Sequence, residues 1–315
     1  MKIIDFDKIK SLNLTAEEMY QWTVDVWKLQ DTFILPAKTK MWQGESGRYI
    51  TMPCVLPQYD IAGVKFICRN VDDVNGLPAR NSNIMLQNCS KHGLLAIMDG
   101  TYITNMRTGA NAAYNAITFS KLHPKTLAVY GLGLTARAFM FFYTAIHKEP
   151  ITVKVLRYKN QAELFIDEFK SNTALNFQVC DTLEDLFDAD IIVSCVSFAH
   201  KELCDISVYK EGCTVVPVHT SGFQNCDLAF DKVVVDDIDH VKGYRYFDEF
   251  QNKMLRITDV ANARIVGRDN DQQRIVIYDG GIAVHDLYFA MKILEKIGDD
   301  CIQIPMSYPT ERFWI

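Results

Sequence analysis

KTLAVYGLGLTARAFM, residues 125–140, carries three signals in a row. Leu127-Ala128-Val129-Tyr130 is a short, nearly apolar run that reads as a buried strand. Gly131 and Gly133 follow, and Ala136 stands where a third small residue is wanted. From Leu134 and Thr135 onward the residues favour a helix. Strand, glycine turn and helix N-terminus is the geometry that cradles a pyrophosphate. The first glycine makes the tight turn, the second lets the diphosphate approach the backbone, and the small third residue packs helix on strand. On this reading Gly131, Gly133, Leu134, Thr135 and Ala136 hold a dinucleotide. The competing reading is an ordinary strand-to-helix turn in a nucleotide-free α/β domain.

Downstream, strand-like and helix-like segments alternate. ITVKVLR (151–157), FQVC, ADIIVSCV, CTVVPVH and KVVVDD read as strands, with helix-like AELFIDEF and TLEDLFD between the first of them. That order implies parallel crossovers and a doubly wound sheet. The second strand ends in VKVLRYKN. Enzymes using NAD usually place an acid there, roughly 20 residues past the glycines, to bind the ribose 2′-hydroxyl. Here Arg157, Tyr158 and Lys159 occupy the position, and no acid precedes Glu163. Two cations favour a 2′-phosphate, hence NADP(H), with NAD(H) as the alternative. Residues 240–270 are charged and show no clear period. IVIYDGG then leads into IAVHDLYFAMKILEKIG, a helix with Leu287, Met291 and Leu294 on one face.

Upstream, Thr15-Ala16-Glu17-Glu18 has the form of a capping box, and Met19, Trp22, Val26 and Leu29 follow at helical spacing. TFILPAK, GRYITMPCVL, IAGVKFICRN, NIMLQNC and LLAIMDG are β-like runs that predict a mostly antiparallel sheet. TYITNMRTGANAAYNAITFSKL (101–122) is helix-like and rich in small residues. The expected fold is therefore α/β: a Rossmann dinucleotide-binding domain over 116–284, plus a split α+β domain formed by 1–115 and 285–315.

Composition narrows the function. At 315 residues, 49% hydrophobic and 23% charged, the chain resembles ordinary soluble globular proteins. A net charge of -6 argues against nucleic acid or an anionic membrane as partner. The nine cysteines never form C-x-x-C, and several sit in apolar runs such as IIVSCVSF, as core thiols of a reducing compartment do. MKIIDFDKIK places acids and lysines where a signal peptide needs apolar residues, and no run of 18 apolar residues exists. A cytoplasmic protein is expected. His92, His123, His147, His200, His240 and His285 show no metal-ligand spacing, so no metal is expected.

Several segments together resemble the ornithine cyclodeaminase/mu-crystallin family. They are LPAK (35–38), GVK (63–65), GLLAIMDGTYITNMRTGA (93–110), TLAVYGLGLTAR (126–137) and DGGIAVHDLYFA (279–290), in the family's order and spacing. The resemblance spans nearly the whole chain, and AIMDGTYITNMRTGA is its most specific part. It implies a homodimer whose split domain serves substrate binding and dimerisation beside a Rossmann domain. It also implies a small amino, imino or keto acid substrate and hydride exchange between an α-carbon and a nicotinamide cofactor.

Residue by residue, Arg107 in NMRTGA matches the family arginine that grips the substrate carboxylate with its planar fork. Thr108 matches a cofactor-phosphate contact. Lys65 matches the active-site lysine of GVK, which exchanges protons with an amine or imine when its pocket is partly apolar. Lys38 stands where the family usually has an arginine for a second carboxylate contact, and keeps the charge without the fork. Asp286 matches an aspartate at the start of the returning helix, where an acid also complements the helix N-terminus. The main departure lies in VVPVHTSGFQNCDL (215–228), where cyclodeaminases carry an aspartate that helps activate water or the substrate amine. Ser221 falls there and His219 falls at a usual glycine; a slip of the alignment would bring in Asp227 instead. A hydroxyl is no carboxylate base at neutral pH. His219 either takes over acid–base duty or is a hydrogen-bonded loop histidine. The resemblance thus points to an NAD(P)H-dependent oxidoreductase on a small α-imino or α-amino acid. A cyclodeaminase-type ammonia lyase and an NADPH-bearing binding protein are the alternatives.

Overall fold

A computed structural model describes residues 1–44, 47–69, 76–219 and 221–313. In chain order the elements are β1 (Lys2–Ile4), α1 (Phe6–Ser11), α2 (Ala16–Leu29), β2 (Thr39–Gln43), β3 (Gly47–Leu56), β4 (Ile61–Arg69), β5 (Arg80–Asn88), β6 (Leu94–Asp99) and α3 (Thr101–Thr118). Then come β7 (Thr126–Tyr130), α4 (Leu134–Ile146), β8 (Ile151–Leu156), α5 (Gln161–Phe169), β9 (Leu175–Cys180), α6 (Leu183–Phe187), β10 (Ile191–Ser194), β11 (Thr214–Pro217) and α7 (Gln224–Ala229). The last are β12 (Lys232–Val235), α8 (Ile238–Val241), α9 (Phe247–Phe250), β13 (Met254–Arg256), α10 (Ile257–Ala261), β14 (Ile275–Tyr278), α11 (Ala283–Ile297) and β15 (Ile302–Gln303).

The chain divides into two compact units. The first comprises Met1–Leu14, Thr32–Thr104 and Ala283–Ile315. Among the described residues its sheet runs β15-β1-β6-β5-β4-β3-β2 and is antiparallel except at β1/β6. Period-two burial explains β3: Ile50, Met52, Cys54 and Leu56 turn inward while their neighbours do not. Helix α11 covers that face across β3, β4 and β5. TFILPAK, expected as a strand, makes only a single bridge, Ile34 to Val55, after a short 3-10 turn at Gln30–Thr32. Pro36 cannot donate to a ladder, which ends that run as a strand. Asn70, the last residue of the run IAGVKFICRN, lies outside the described residues.

The second unit comprises Thr15–Asp31 and Asn105–Ile282. Its sheet runs β13-β12-β14-β11-β10-β7-β8-β9, parallel at every pairing among the described residues. From β7 the chain steps outward to β8 and β9, then returns to β10 on the other side of β7. The strand order therefore reverses between β7 and β10, where doubly wound sheets take their ligands. Strands such as IIVS and TVVP are buried throughout, as helices on both faces require. Residues 240–270 form α8, α9, β13 and α10, elements too short to show a hydrophobic period.

The unit boundaries differ from the expected 1–115 and 116–284. Helix α2 groups with the parallel sheet, because its C-terminal end is tied there. Thr258 Oγ1 donates to the Trp27 carbonyl (2.7 Å), Gln30 Nε2 donates to the Asp236 carbonyl (2.8 Å), and Asp31 pairs with Arg256 and Arg264. Thr15 caps α2 through Oγ1, which accepts from the Glu18 N–H. The second boundary falls inside α3, between Thr104 and Asn105. Among the described residues no helix is long and apolar enough to cross a membrane.

Candidate active site

The glycine turn has the form expected of a phosphate cradle. Gly131 has φ +83°, and a Cβ there would lie 2.6 Å from the Val196 amide nitrogen, so both conformation and space exclude a side chain. Gly133 is the N-cap residue of α4, and the space over it is open. Leu134 is exposed, Thr135 half-buried, and Ala136 fully buried. The loop is held from below by Arg137, which donates to the Leu132 carbonyl and pairs with Glu168 (2.6 Å). Open N–H groups, a glycine with nothing above it and a braced backbone fit a diphosphate.

At the end of β8, Arg157 Nε donates to Asp181 Oδ1 at 2.6 Å, and its Nη1 lies 3.9 Å from Glu163. Its charge is thus partly matched within the chain. Lys159 turns the backbone with φ +51° and lies 5.4 Å from the ring centroid of exposed Tyr158.

On the other side of the reversal point, a pocket opens beyond the C-terminal ends of β11 and β14. It is lined by Arg107, Thr108 and Asn111 from α3, by Val216 and Val218, and by Asp279. Small residues set this wall. A Cβ on Gly109 would lie 2.5 Å from the Ala138 backbone, so only glycine allows α3 so close to α4. Arg107 is 7% exposed, and its guanidinium lies against Gly281, whose φ is +78°. Asp279 accepts from the Gly281 N–H (3.2 Å) and from Asn115 Nδ2 (3.0 Å). Burial, joined by the charge of Asp236, pushes the Asp279 carboxyl up to about 6, and the Arg107 charge restrains the rise. Both acids stand just past paired strand ends, since Val235 of β12 is in register with Tyr278 of β14.

His219 joins two serines. Its Nε2 is 2.8 Å from Ser194 Oγ, and its Nδ1 is 3.0 Å from Ser221 Oγ. The Ser221 N–H also points at Nδ1 (3.4 Å), which makes that nitrogen the acceptor and places the proton on Nε2. Ser221 Oγ accepts from the Ala199 N–H (3.0 Å). Burial lowers the imidazole to about 4, so it is neutral at physiological pH. Asp227 is fully buried and accepts from Tyr278 Oη at 2.5 Å; burial raises its carboxyl to about 7.

In the antiparallel-sheet unit, Lys65 sits on the covered face of β4. Its Nζ is 2.6 Å from Asp286 Oδ2 of α11, and neither side chain reaches solvent. Burial, with the Asp286 charge adding to it, pushes the Cys54 thiol on β3 up to about 12. Lys38 is half-buried in the loop before β2. Sequence reasoning therefore named Arg107, Thr108, His219 and Ser221, which the fold gathers in one unit, and Lys65 and Lys38, which lie in the other. It missed Asn111, Asp279 and Ser194. The asparagine had a signal: it follows Arg107 by one helical turn in a segment otherwise of small and apolar residues. Ser194, far from His219 in sequence, had none.

Comparison with known proteins agrees with this architecture. An archaeal alanine dehydrogenase dimer with bound NAD matches the fold with a TM-score of 0.86 at 19% identity, over 98% of this chain and 99% of that one. The nodulation efficiency protein NfeD of Rhizobium meliloti is 25% identical over 251 residues, 78% of each chain. Delta(1)-pyrroline-2-carboxylate reductase of Bacillus cereus is 21% identical over 285 residues, 84% of this chain and 86% of that protein. The model of the ornithine cyclodeaminase/mu-crystallin family matches residues 7–300. With that match across nearly its whole length, the chain belongs to the ornithine cyclodeaminase/mu-crystallin family.

Proposed function

We propose that the protein is an NAD(P)H-dependent reductase of small α-imino acids, with a cyclic ketimine as the substrate class. The observation that carries this reading is the pocket of Arg107, Thr108 and Asp279 beyond β11 and β14, in the unit whose glycine turn suits a dinucleotide. The pyrroline-2-carboxylate reductase similarity supports the same substrate class, because pyrroline-2-carboxylate is a cyclic ketimine.

In this reading Arg107 binds the substrate carboxylate, with Lys38 as a second cationic contact. Gly281 leaves the guanidinium the room it occupies, and Asp279 balances its charge until the carboxylate arrives. Bound nicotinamide dinucleotide supplies the hydride. Lys65 delivers the proton to nitrogen, with Asp286 paired to its Nζ at 2.6 Å. The balance is one hydride to the α-carbon and one proton to nitrogen: the C=N π bond is lost, C–H and N–H bonds form, and the dinucleotide is oxidised. Arg157 and Lys159 lead us to NADP(H) over NAD(H), since exposed ion pairs such as Arg157–Asp181 exchange readily for a phosphate. We also infer a homodimer, and a reducing cytoplasm suits its nine free thiols.

The cyclodeaminase reading is weakened by a specific feature. Ser221 is engaged by Ala199 and His219, and His219 is a neutral imidazole held between two hydroxyls, so neither supplies a carboxylate. The one carboxyl of the segment, Asp227, is fully buried and taken up by Tyr278 Oη. The third reading, a binding protein with little catalysis, predicts dinucleotide binding without turnover. The test is the near-ultraviolet absorbance of the reduced nicotinamide, followed with cyclic ketimines, with keto acids plus amines, and with ornithine alone. Stoichiometric loss on a ketimine, abolished in Arg107→Ala, is expected. Proline and ammonia from ornithine with constant absorbance would establish the cyclodeaminase instead.

A further inference from the structure

Asn111 is 2% exposed and lines the pocket, yet among the described residues neither its amide nitrogen nor its amide oxygen has a hydrogen-bond partner. Each buried, unsatisfied polar atom costs folding free energy, so a complete amide left unpaired beside a pocket points to a partner outside the chain. That partner must offer an acceptor and a donor side by side, because the Asn111 head group presents Nδ2–H and Oδ1 at adjacent positions. A primary carboxamide meets both requirements.

The surroundings select which carboxamide. The glycine turn follows β7, and the segment suited to a ribose phosphate follows β8, on one side of the strand-order reversal. A dinucleotide lying across the C-terminal ends of the strands places its other half beyond β10 and β11. Asn111 stands at that end, beside Val216 and Val218, whose apolar side chains suit the face of a pyridine ring. Helix α3, held against α4 at Gly109, gives the amide a fixed mounting.

We infer that Asn111 pairs with the carboxamide of the nicotinamide and so sets which way the ring lies. It is a positioning residue, and the inference rests on the dinucleotide reading above. A nicotinamide held at one edge turns a single face to the substrate, which a ring anchored only through its diphosphate does not do.

The test is equilibrium binding to the intact protein, read by fluorescence or calorimetry with three ligands. They are NADPH, its 3-acetylpyridine counterpart, in which a methyl replaces the amide NH2, and 2′-phospho-ADP-ribose, which has no nicotinamide. Wild type is expected to bind the acetylpyridine form about tenfold more weakly than NADPH. In Asn111→Ala the two should bind alike, at the weaker level, with 2′-phospho-ADP-ribose unchanged; that last value certifies the fold. Asn111→Thr serves as the second variant should the alanine protein lose the nicotinamide-free ligand. A tenfold preference that survives in the folded variant overturns the inference while leaving the dinucleotide reading intact. Wild-type protein that binds none of the three overturns both. A variant whose cofactor affinities stand but whose substrate range changes would place Asn111 on the substrate, and that too overturns the proposal.

Discussion

Lys65 and Asp286 meet at 2.6 Å with no solvent on either side chain, whereas Asn111, 2% exposed, has neither amide atom hydrogen-bonded among the described residues. The first arrangement is closed: strand β4 and helix α11 each bring one charge, and the two are paired within one unit. The second is open: α3 brings an amide to a pocket wall, and no described residue hydrogen-bonds to it. Both cost desolvation. The difference is between a charge that is matched inside the protein and a polar group that the described residues leave unmatched.

The largest effect that would break this contrast comes from opening the closed pair. Lys65→Met or Asp286→Leu alone removes one member of a buried ion pair and should cost about 3–5 kcal/mol, measured by denaturant unfolding. The double variant should recover most of that loss, because the two apolar side chains leave no charge behind. Equal losses in single and double variants would mean that the pair is not a unit.

Asp227 shows a third way of burying an acid, by keeping its proton. Its carboxyl is raised from 3.8 to about 7, so the unfolded chain releases the proton first. Wild-type stability relative to Asp227→Asn is therefore full below pH 3.8 and is lost as pH rises to about 7. The slope is about 1.4 kcal/mol per pH unit at most. Unfolding of the two proteins across that range checks it, and parallel curves would show that Asp227 ionises normally.

A smaller effect sharpens the open side. Gly281→Ala forces φ +78° on an alanine and sets its Cβ 2.7 Å from Arg107 Nη1. A destabilisation of about 2 kcal/mol is expected, together with a weaker grip on any carboxylate substrate, read as a raised KM. At the exposed end of the cofactor site, Arg157→Ala should leave thermal unfolding almost unchanged. It should lower the preference for NADPH over NADH about tenfold, as loss of one charge-assisted contact does.

The two units were unequally legible from sequence. The turn at residues 131–133 and the alternating segments after it were readable because glycine conformation and strand–helix alternation are local properties. The capping pattern at Thr15 was readable for the same reason. The assignment of α2 to the parallel-sheet unit was not, since it depends on Gln30 and Trp27 meeting Asp236 and Thr258 from distant parts of the chain. The short elements between residues 238 and 261 gave no period to read. At the site, the charged candidates stood out by residue type and by resemblance. Asn111 passed as one more small residue of a close-packed helix, and Ser194 passed as the end of a buried strand. Their significance lies in what the fold places beside them: an open pocket in one case and His219 in the other.

The most direct measurement follows the hydride itself. Protein supplied with NADPH carrying deuterium at the nicotinamide C4, on one face and then on the other, and with a cyclic ketimine carboxylic acid, should yield an amino acid deuterated at the α-carbon from one face only. The product is read by mass spectrometry. An undeuterated product from both labels, or ornithine converted to proline while the label stays on the dinucleotide, would contradict imine reduction as the reaction of this chain.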